Sequence, residues 1–481
     1  MSAKENIDLK AAWQRLQSVA EDIFLFDIMG KKICFCISTC AFCEVDDLSY
    51  QLLGNLIRGE NFHTITFVHN NKSNSFPLDE IISELDDLFS AGLLAPDNDN
   101  HLKLPNISPP ITALALIMAT DCNLRCDYCY AEGGSFQSRR ELMSLSVAKA
   151  SVDFLVKNSR RSKEIGLSFF GGEPLLNYDC ITDIVAYAQK QFSMKGKKCS
   201  FGITTNGILL TPEKVKFILE NDISLIISID GPPEVHNKYR VFPNKKGSYE
   251  SIVKNISKLS EKYSELMDRI TIRATFTGSD HDLISRLSHL RTLGFTKIAL
   301  ESCAAIPEYL GITSKRLEDV LEDYKKATKW YKEQLQSGDS FSYHHFTQLL
   351  DQISDGSRRI TQCGAGRGYL SVSPDGTIYP CHRMVGNEEF AMGNIFDGIV
   401  AEMQKFWGQA SVPYKEKCMN CWARYICGGG CHATAIQFNK DILQPYEIDC
   451  ELMKHRIKLA AWLYSEMADY KAKDHVAKSV C

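Results

Sequence analysis

The sequence predicts an α/β chain: an open barrel of six strand–helix units, preceded by a small α+β module and followed by a cysteine-rich domain. Three observations carry that expectation. Strand-like apolar runs alternate with helical segments between residues 111 and 301. A stretch of short strands with its own amphipathic segments comes before them. The 18 cysteines are clustered, four of them between Cys34 and Cys43, three between Cys122 and Cys129 and seven between Cys363 and Cys450. At 481 residues the chain is also too long for one ordinary core.

In chain order, residues 21–28 (EDIFLFDI), 32–37 and 41–44 read as short strands, with Gly30 in the first turn. Amphipathic stretches follow at 46–57 and 78–93, the second placing Ile81, Ile82, Leu85, Leu88 and Phe89 on one face. Together they suggest a module of winged-helix type. Residues 94–110, with PDNDN and PNISPP, read as a linker. Barrel strands are expected at 111–119, 164–170, 199–205, 222–229, 269–277 and 295–301. Helical spacing separates them, as in Val147, Ala150, Ser151, Phe154 and Leu155, and in Tyr249, Ile252, Val253, Ile256 and Leu259. Six such units suit an open barrel rather than a closed eightfold one. Helices are further expected at 315–337 and 451–470. The resulting division is 1–105, the N-terminal winged-helix-like module; 106–335, the partial barrel; 336–452, the cysteine-rich domain; and 453–481, a C-terminal helix.

Composition narrows the function. Hydrophobic residues make up 44% and charged residues 24%, a globular balance. The formal net charge of −4 supplies no attraction for nucleic acid. No apolar run approaches the roughly 18 residues of a membrane span, and MSAKENIDLKAAW lacks the layout of a signal peptide. A cytoplasmic protein without membrane or nucleic-acid partners is expected. In a reducing compartment its cysteines point to metal ligation or catalysis rather than disulfides.

The segment Cys122-Asn-Leu-Arg-Cys126-Asp-Tyr-Cys129 is C-x3-C-x2-C, directly after the first barrel strand. Three thiolates can hold three irons of a four-iron cluster and leave the fourth open. The other reading of such spacing is zinc with a fourth ligand elsewhere, or packing. Later strand ends add polar marks: Phe170-Gly-Gly-Glu-Pro174, Thr204-Thr-Asn-Gly207 and Ser228-Ile-Asp-Gly231. Gly171 and Gly172 permit close backbone approach, and Glu173 can take an ammonium group. A second C-x3-C-x2-C, Cys36 to Cys43, lacks a preceding barrel strand and a following GGEP, and is read as structural.

With the aromatic before its last cysteine, followed by GGEP, TTNG and SIDGP, the triad resembles the radical S-adenosylmethionine (SAM) superfamily. The resemblance implies a cluster on Cys122, Cys126 and Cys129 that binds and cleaves SAM. It implies that Gly171, Gly172 and Glu173 hold the SAM amino end and that Asn206 and Ser228 contact its ribose or methionine part. Arg240 or Arg273 would pair with the carboxylate, and the sequence does not choose between them.

Beyond the barrel come Cys363, Cys381, Cys418-x2-Cys421-x5-Cys427-x3-Cys431 and Cys450. Seven thiols exceed one tetrahedral site, and spacing alone does not separate zinc from iron–sulfur. This pattern resembles the SPASM domain that follows some radical SAM cores. It implies an outer cluster on Cys418, Cys421, Cys427 and Cys450 and an inner one on Cys363, Cys381 and Cys431, hence three [4Fe-4S] clusters in all. In some relatives a further cysteine lies shortly after the first; here none follows Cys363 until Cys381, so the inner set is one protein ligand short. A substrate cysteine is the expected occupant.

Nearly the whole chain resembles SPASM enzymes that install thioether cross-links in ribosomally made peptides, the maturases of SCIFF- and freyrasin-type precursors. FLFDIMGKK, LMSLSVAKASVDFLV, FFGGEPLLN and CWARYICGGGCHATAIQFNKDILQPYEIDCE carry that likeness. It implies a cysteine-containing precursor peptide whose leader adds a strand to the N-terminal sheet, and an electron donor such as flavodoxin or ferredoxin. The other reading within this class is a maturase acting on a folded protein, of sulfatase or quinohaemoprotein type. No Ser/His/Asp set, P-loop or HExxH motif suggests another mechanism, and His344, His345, His382 and His432 receive no role. Cys34, Cys36, Cys40, Cys43, Cys180, Cys199, Cys303 and Cys481 fall outside the three sets.

Overall fold

The β-branched and aromatic residues near the N-terminus form strands β1 (Ile23–Ile28), β2 (Lys31–Cys36) and β3 (Ala41–Glu44), an antiparallel meander in that order. This is a computed structural model, and it describes residues 9–60, 78–95, 108–303, 309–339 and 341–467. Three helices pack on the meander: α1 (Leu9–Gln17), α2 (Asp47–Ile57) and α3 (Leu78–Ser90). Asp46 caps α2 by accepting the Ser49 N–H at 2.7 Å. The first helix was not expected from sequence. Its nine residues are too few for a clear period, and it is held by burying Ala12, Trp13 and Leu16 in a core shared with Leu52, Leu53, Ile82 and Leu85.

The expected barrel strands are all present: β4 (Ala113–Ala119), β5 (Glu164–Gly171), β6 (Lys198–Thr205), β7 (Ile223–Ser228), β8 (Ile270–Phe276) and β9 (Lys297–Ser302). They are parallel and neighbour one another in chain order. The sheet then continues past both ends of the barrel. β10 (Ser342–Tyr343) adds to β9. β11 (Tyr369–Val372) runs parallel to β4, and β12 (Thr377–Tyr379), β13 (Gly393–Asn394) and β14 (Gly398–Ile399) extend it antiparallel to eleven strands. The cysteine-rich domain therefore grows out of the barrel sheet. Strands of two to four residues carry no readable alternation, which is why the sequence ended the sheet at residue 301.

Strands β5 to β8 alternate. One face, including Leu167, Ile203, Leu225, Ile227 and Ile272, is buried under helices. The other is only partly covered and, apart from Phe170 and Ile226, carries mostly small or polar residues: Gly166, Ser168, Gly202, Thr204, Ser224, Ser228 and Thr275. That second face lines the inside of a barrel that six strands do not close.

The N-terminal module rests on the C-terminal domain. Phe24 stacks on Trp422 with ring centroids 4.4 Å apart, Phe26 and Phe35 contact the same indole, and Arg424 lies 3.6 Å from buried Asp22. The C-terminal helix (Glu447–Glu466) completes the seat, its Lys458 ammonium lying 5.5 Å from the Phe24 ring centre. Among the described residues no helix is long and apolar enough to cross a membrane. Cys481 and most of the 94–110 linker lie outside the described residues.

Candidate functional site

The loop after β4 is placed by its neighbours' main chain. Arg125 N–H bonds Val241 O at 2.7 Å and Asp127 N–H bonds Tyr239 O at 2.9 Å, which ties the cysteine loop to the segment after β7. The GGEP turn seals it from the other side. A Cβ on Gly172 would stand 2.2 Å from Asp121 O and 2.8 Å from the Gly134 Cα. The close approach that glycine permits there is to the cysteine loop itself.

Cys122, Cys126 and Cys129 are side by side and each is partly open. Cys122 Sγ accepts from Leu124 N–H at 3.4 Å and faces Asn206 Nδ2 at 3.7 Å. Burial pushes the Cys122 thiol up to about 11 and the Cys126 thiol to about 12, with Arg240 pulling both the other way. Such thiols stay protonated at neutral pH unless a metal takes the proton's place.

The structure separates the two arginines that sequence left equivalent. Arg240 is buried beside the triad, and its Nη1 donates to Tyr128 OH at 2.9 Å, which in turn bonds the Asp230 carboxylate. Asp230 is anchored by the Thr275 N–H at 3.0 Å, and its main-chain oxygen accepts from Arg286 at 2.7 Å. Arg240 Nε is buried with no hydrogen-bond partner among the described residues, a donor available to an anion. Arg273 lies farther out, half-exposed, 3.6 Å from Glu301, whose carboxylate also bonds His345 at 2.9 Å. Tyr128 and Asp230 went unassigned in the sequence, although both lie inside quoted motifs, as the aromatic before the last cysteine and the Asp of SIDGP.

Glu173 is fully buried, and burial raises its pKa. One oxygen accepts from Leu175 N–H at 3.1 Å and Thr205 Oγ1 at 2.7 Å, the other from Asn206 N–H at 2.9 Å. With two acceptor positions per oxygen, one remains for an incoming ammonium. Asn206 also donates to Asn123 Oδ1 at 2.7 Å, so the strand-three mark braces the cysteine loop. Ser228 ends β7 on the open face, in register with Arg273.

The seven C-terminal cysteines form two neighbourhoods. Cys363, Cys381 and Cys431 act on one another electrostatically, and Cys418, Cys421, Cys427 and Cys450 do the same. Burial raises Cys381 and Cys450 to about 12 and Cys418 to about 11. Cys427 and Cys431, one from each set, are joined by Gly428, Gly429 and Gly430, all with positive φ (72°, 92° and 74°). A Cβ on Gly428 would strike the Thr361–Gln362 main chain at 2.6 Å, so this run lets the loop press against the approach to Cys363. Arg383, not assigned from sequence, reaches Cys431 Sγ at 3.5 Å. Among the described residues no three Cys, His, Asp or Glu side chains converge as ligands of one ion would. A four-iron cluster spreads its thiolates over separate corners and does not require such convergence.

Five of the leftover thiols are packed in apolar cores. Cys34 and Cys36 lie in the N-terminal core, Cys40 and Cys180 in the main core, and Cys303 beside Tyr239 and Leu310.

Two family models match parts of the chain. Residues 116–287 match the model of the Radical SAM superfamily, and residues 363–422 match that of SPASM, an iron–sulfur cluster-binding domain. A cysteine-type anaerobic sulfatase-maturating enzyme of Clostridium novyi is 27% identical over 327 residues, 65% of this chain and 85% of its own. The radical SAM cyclopropyl synthase TigE of Paramaledivibacter caminithermalis is 22% identical over 446 residues, 86% of this chain and 89% of its own. The solved structure of native anSMEcpe with bound AdoMet superposes with a TM-score of 0.63 at 22% identity, over 74% of this chain and 99% of that one. The two domains imply [4Fe-4S] clusters, auxiliary ones included, and the anSMEcpe structure is the one that holds AdoMet. The chain thus carries a radical SAM domain followed by a SPASM domain.

Proposed function

We propose that this chain is a cytoplasmic peptide maturase that forms thioether cross-links between cysteine sulfur and an acceptor-residue carbon in a ribosomally made precursor peptide. The observation that carries a peptide substrate is the N-terminal module. It has its own core, is seated on the SPASM domain, and leaves β3 as an edge strand among the described residues. Val45 N–H bonds Lys32 O, which sets the phase: Phe42 and Glu44 turn their main-chain groups away from β2. An extended leader adding to that edge gains main-chain bonds and reads alternate side chains, the behaviour of a winged-helix-like recognition domain at residues 1–105.

In this reading Cys122, Cys126 and Cys129 hold the SAM-cleaving cluster. Gly171, Gly172, Glu173, Asn206 and Ser228 position SAM, with Arg240 rather than Arg273 at its carboxylate. Cys418, Cys421, Cys427 and Cys450 hold the outer auxiliary cluster; Cys363, Cys381 and Cys431 hold the inner one and leave a position for a substrate sulfur. Bound at these residues, SAM and the clusters would supply one-electron radical chemistry able to remove one hydrogen atom from an acceptor carbon, and with loss of the thiol's proton and one electron this accounts for the two hydrogens lost per link. A flavodoxin or ferredoxin supplies the reducing electron.

The Clostridium novyi relative favours the second reading, a maturase acting on a folded protein. That alignment covers 65% of this chain, whereas the one with TigE covers 86%. Co-expression with a short cysteine-rich peptide preceded by its leader decides between them. Loss of two hydrogens per link, dependent on the leader, is the expected result. An unmodified peptide together with a modified sulfatase-type substrate would reject the thioether reading.

A further inference from the structure

Lys415 is fully buried, and no carboxylate lies within ion-pair distance of it among the described residues. Its Nζ donates to Gly429 O at 2.7 Å and meets His432 Nδ1 at 3.4 Å. Gly429 belongs to the glycine run between Cys427 and Cys431, and His432 follows Cys431 directly. The far side of the ring, Nε2, is 3.4 Å from Thr361 Oγ1, which bonds Cys363 O at 2.9 Å. The ammonium therefore sits at the junction of the outer and inner cysteine sets, in hydrogen-bonded sequence with both.

A buried ammonium costs several kcal/mol unless a negative group offsets it. A carbonyl and an imidazole do not supply that charge. The groups at hand that can carry negative charge are cysteines of both sets: Nζ bonds the glycine run between Cys427 and Cys431, and the Lys415 main-chain oxygen accepts from Cys418 N–H at 2.9 Å. Cluster-bound thiolates carry that negative charge permanently, which free thiols raised by burial do not.

We infer that Lys415 is the shared counter-charge of the two auxiliary clusters, a positioning residue that raises the reduction potential of both and couples them along the path by which the reaction's electron leaves. This rests on the assignment of the seven cysteines to two clusters. A positive charge stabilises the reduced, more negative cluster, so its removal lowers the potential. Arginine keeps the charge; methionine and glutamine remove it.

The test is redox titration followed by electron paramagnetic resonance on anaerobic wild type, K415M, K415Q and K415R. Both auxiliary signals are expected at lower potential in K415M and K415Q and near wild type in K415R, with the signal of the SAM-cleaving cluster unmoved in all. Selective loss of auxiliary iron in both neutral variants, retained in K415R, supports the same role. Auxiliary potentials that match wild type in an iron-loaded neutral variant overturn it, as does an equal shift or equal iron loss in K415R. Wild-type protein that lacks auxiliary clusters would instead sink the ligand assignment, which sets the two failures apart.

Discussion

The spacing C-x3-C-x2-C occurs twice in this chain, at Cys36–Cys43 and at Cys122–Cys129, each with an aromatic before the last cysteine. The first copy lies on a hairpin of the N-terminal sheet, the second on the irregular loop after β4. Burial raises the thiols of both, Cys40 and Cys126 each to about 12, so acidity does not distinguish them. Access does. Cys36 and Cys40 are sealed in apolar cores at 0% exposure, and Cys36 Sγ lies 3.2 Å from the Asp22 carboxylate, a partner that suits the protonated thiol. All three cysteines of the second copy are partly open, beside Asn206, Arg240 and the polar inner face of the barrel. A cluster needs room for inorganic iron and sulfide as well as thiolates, and only the second copy is placed to provide it.

The sharpest way to break this contrast is to remove each copy in turn. Replacing Cys122, Cys126 and Cys129 with alanine should abolish 5′-deoxyadenosine formation and lower iron from about twelve to about eight per chain. The corresponding Cys36, Cys40 and Cys43 variant should keep both, and iron loss there would erase the distinction. Next, Arg240→Met should weaken SAM binding at least tenfold, since truncating one partner of a buried hydrogen-bonded charge pair costs roughly 2–5 kcal/mol. Arg273→Met should stay within about twofold. Equal losses, measured by equilibrium dialysis on iron-matched samples, would return the two arginines to equivalence.

Smaller effects test the scaffold. Gly172→Ala forces a Cβ against Asp121 O and should destabilise the loop by roughly 1–3 kcal/mol, read as a lower melting temperature and partial loss of iron from the first site only. Trp422→Ala removes the ring under Phe24, worth about 0.5–1.5 kcal/mol beyond its buried area. Hydrogen exchange should then rise in β1 and β2 while SAM cleavage is kept. Unchanged exchange would mean the N-terminal module is seated by other contacts.

Much of this was legible before any coordinates. Alternation in EIGLSFF and in the apolar run ALALIMA located strands to within two residues, because burial of one face or both leaves a local imprint on sequence. The triad, GGEP and TTNG were equally visible, since each is a short contiguous motif. Helix α1 and strands β10 to β14 were not, because short elements owe their existence to what they pack against. The choice of Arg240 over Arg273 was hidden for a related reason. One follows a barrel strand and the other lies within one, and only the tie of Tyr239 and Val241 to the cysteine loop brings Arg240 beside the triad.

The amino-acid sequence alone determined the order of strands and helices and the grouping of the thiols, because periodicity and ligand spacing are properties of neighbouring residues. Tertiary structure decided which thiols stay accessible, where the extra strands join the sheet, how the N-terminal module seats on Trp422, and that the buried Lys415 bonds the glycine run between Cys427 and Cys431. Those outcomes depend on the local dielectric and on charges brought together across separations of tens to hundreds of residues, which no stretch of sequence displays.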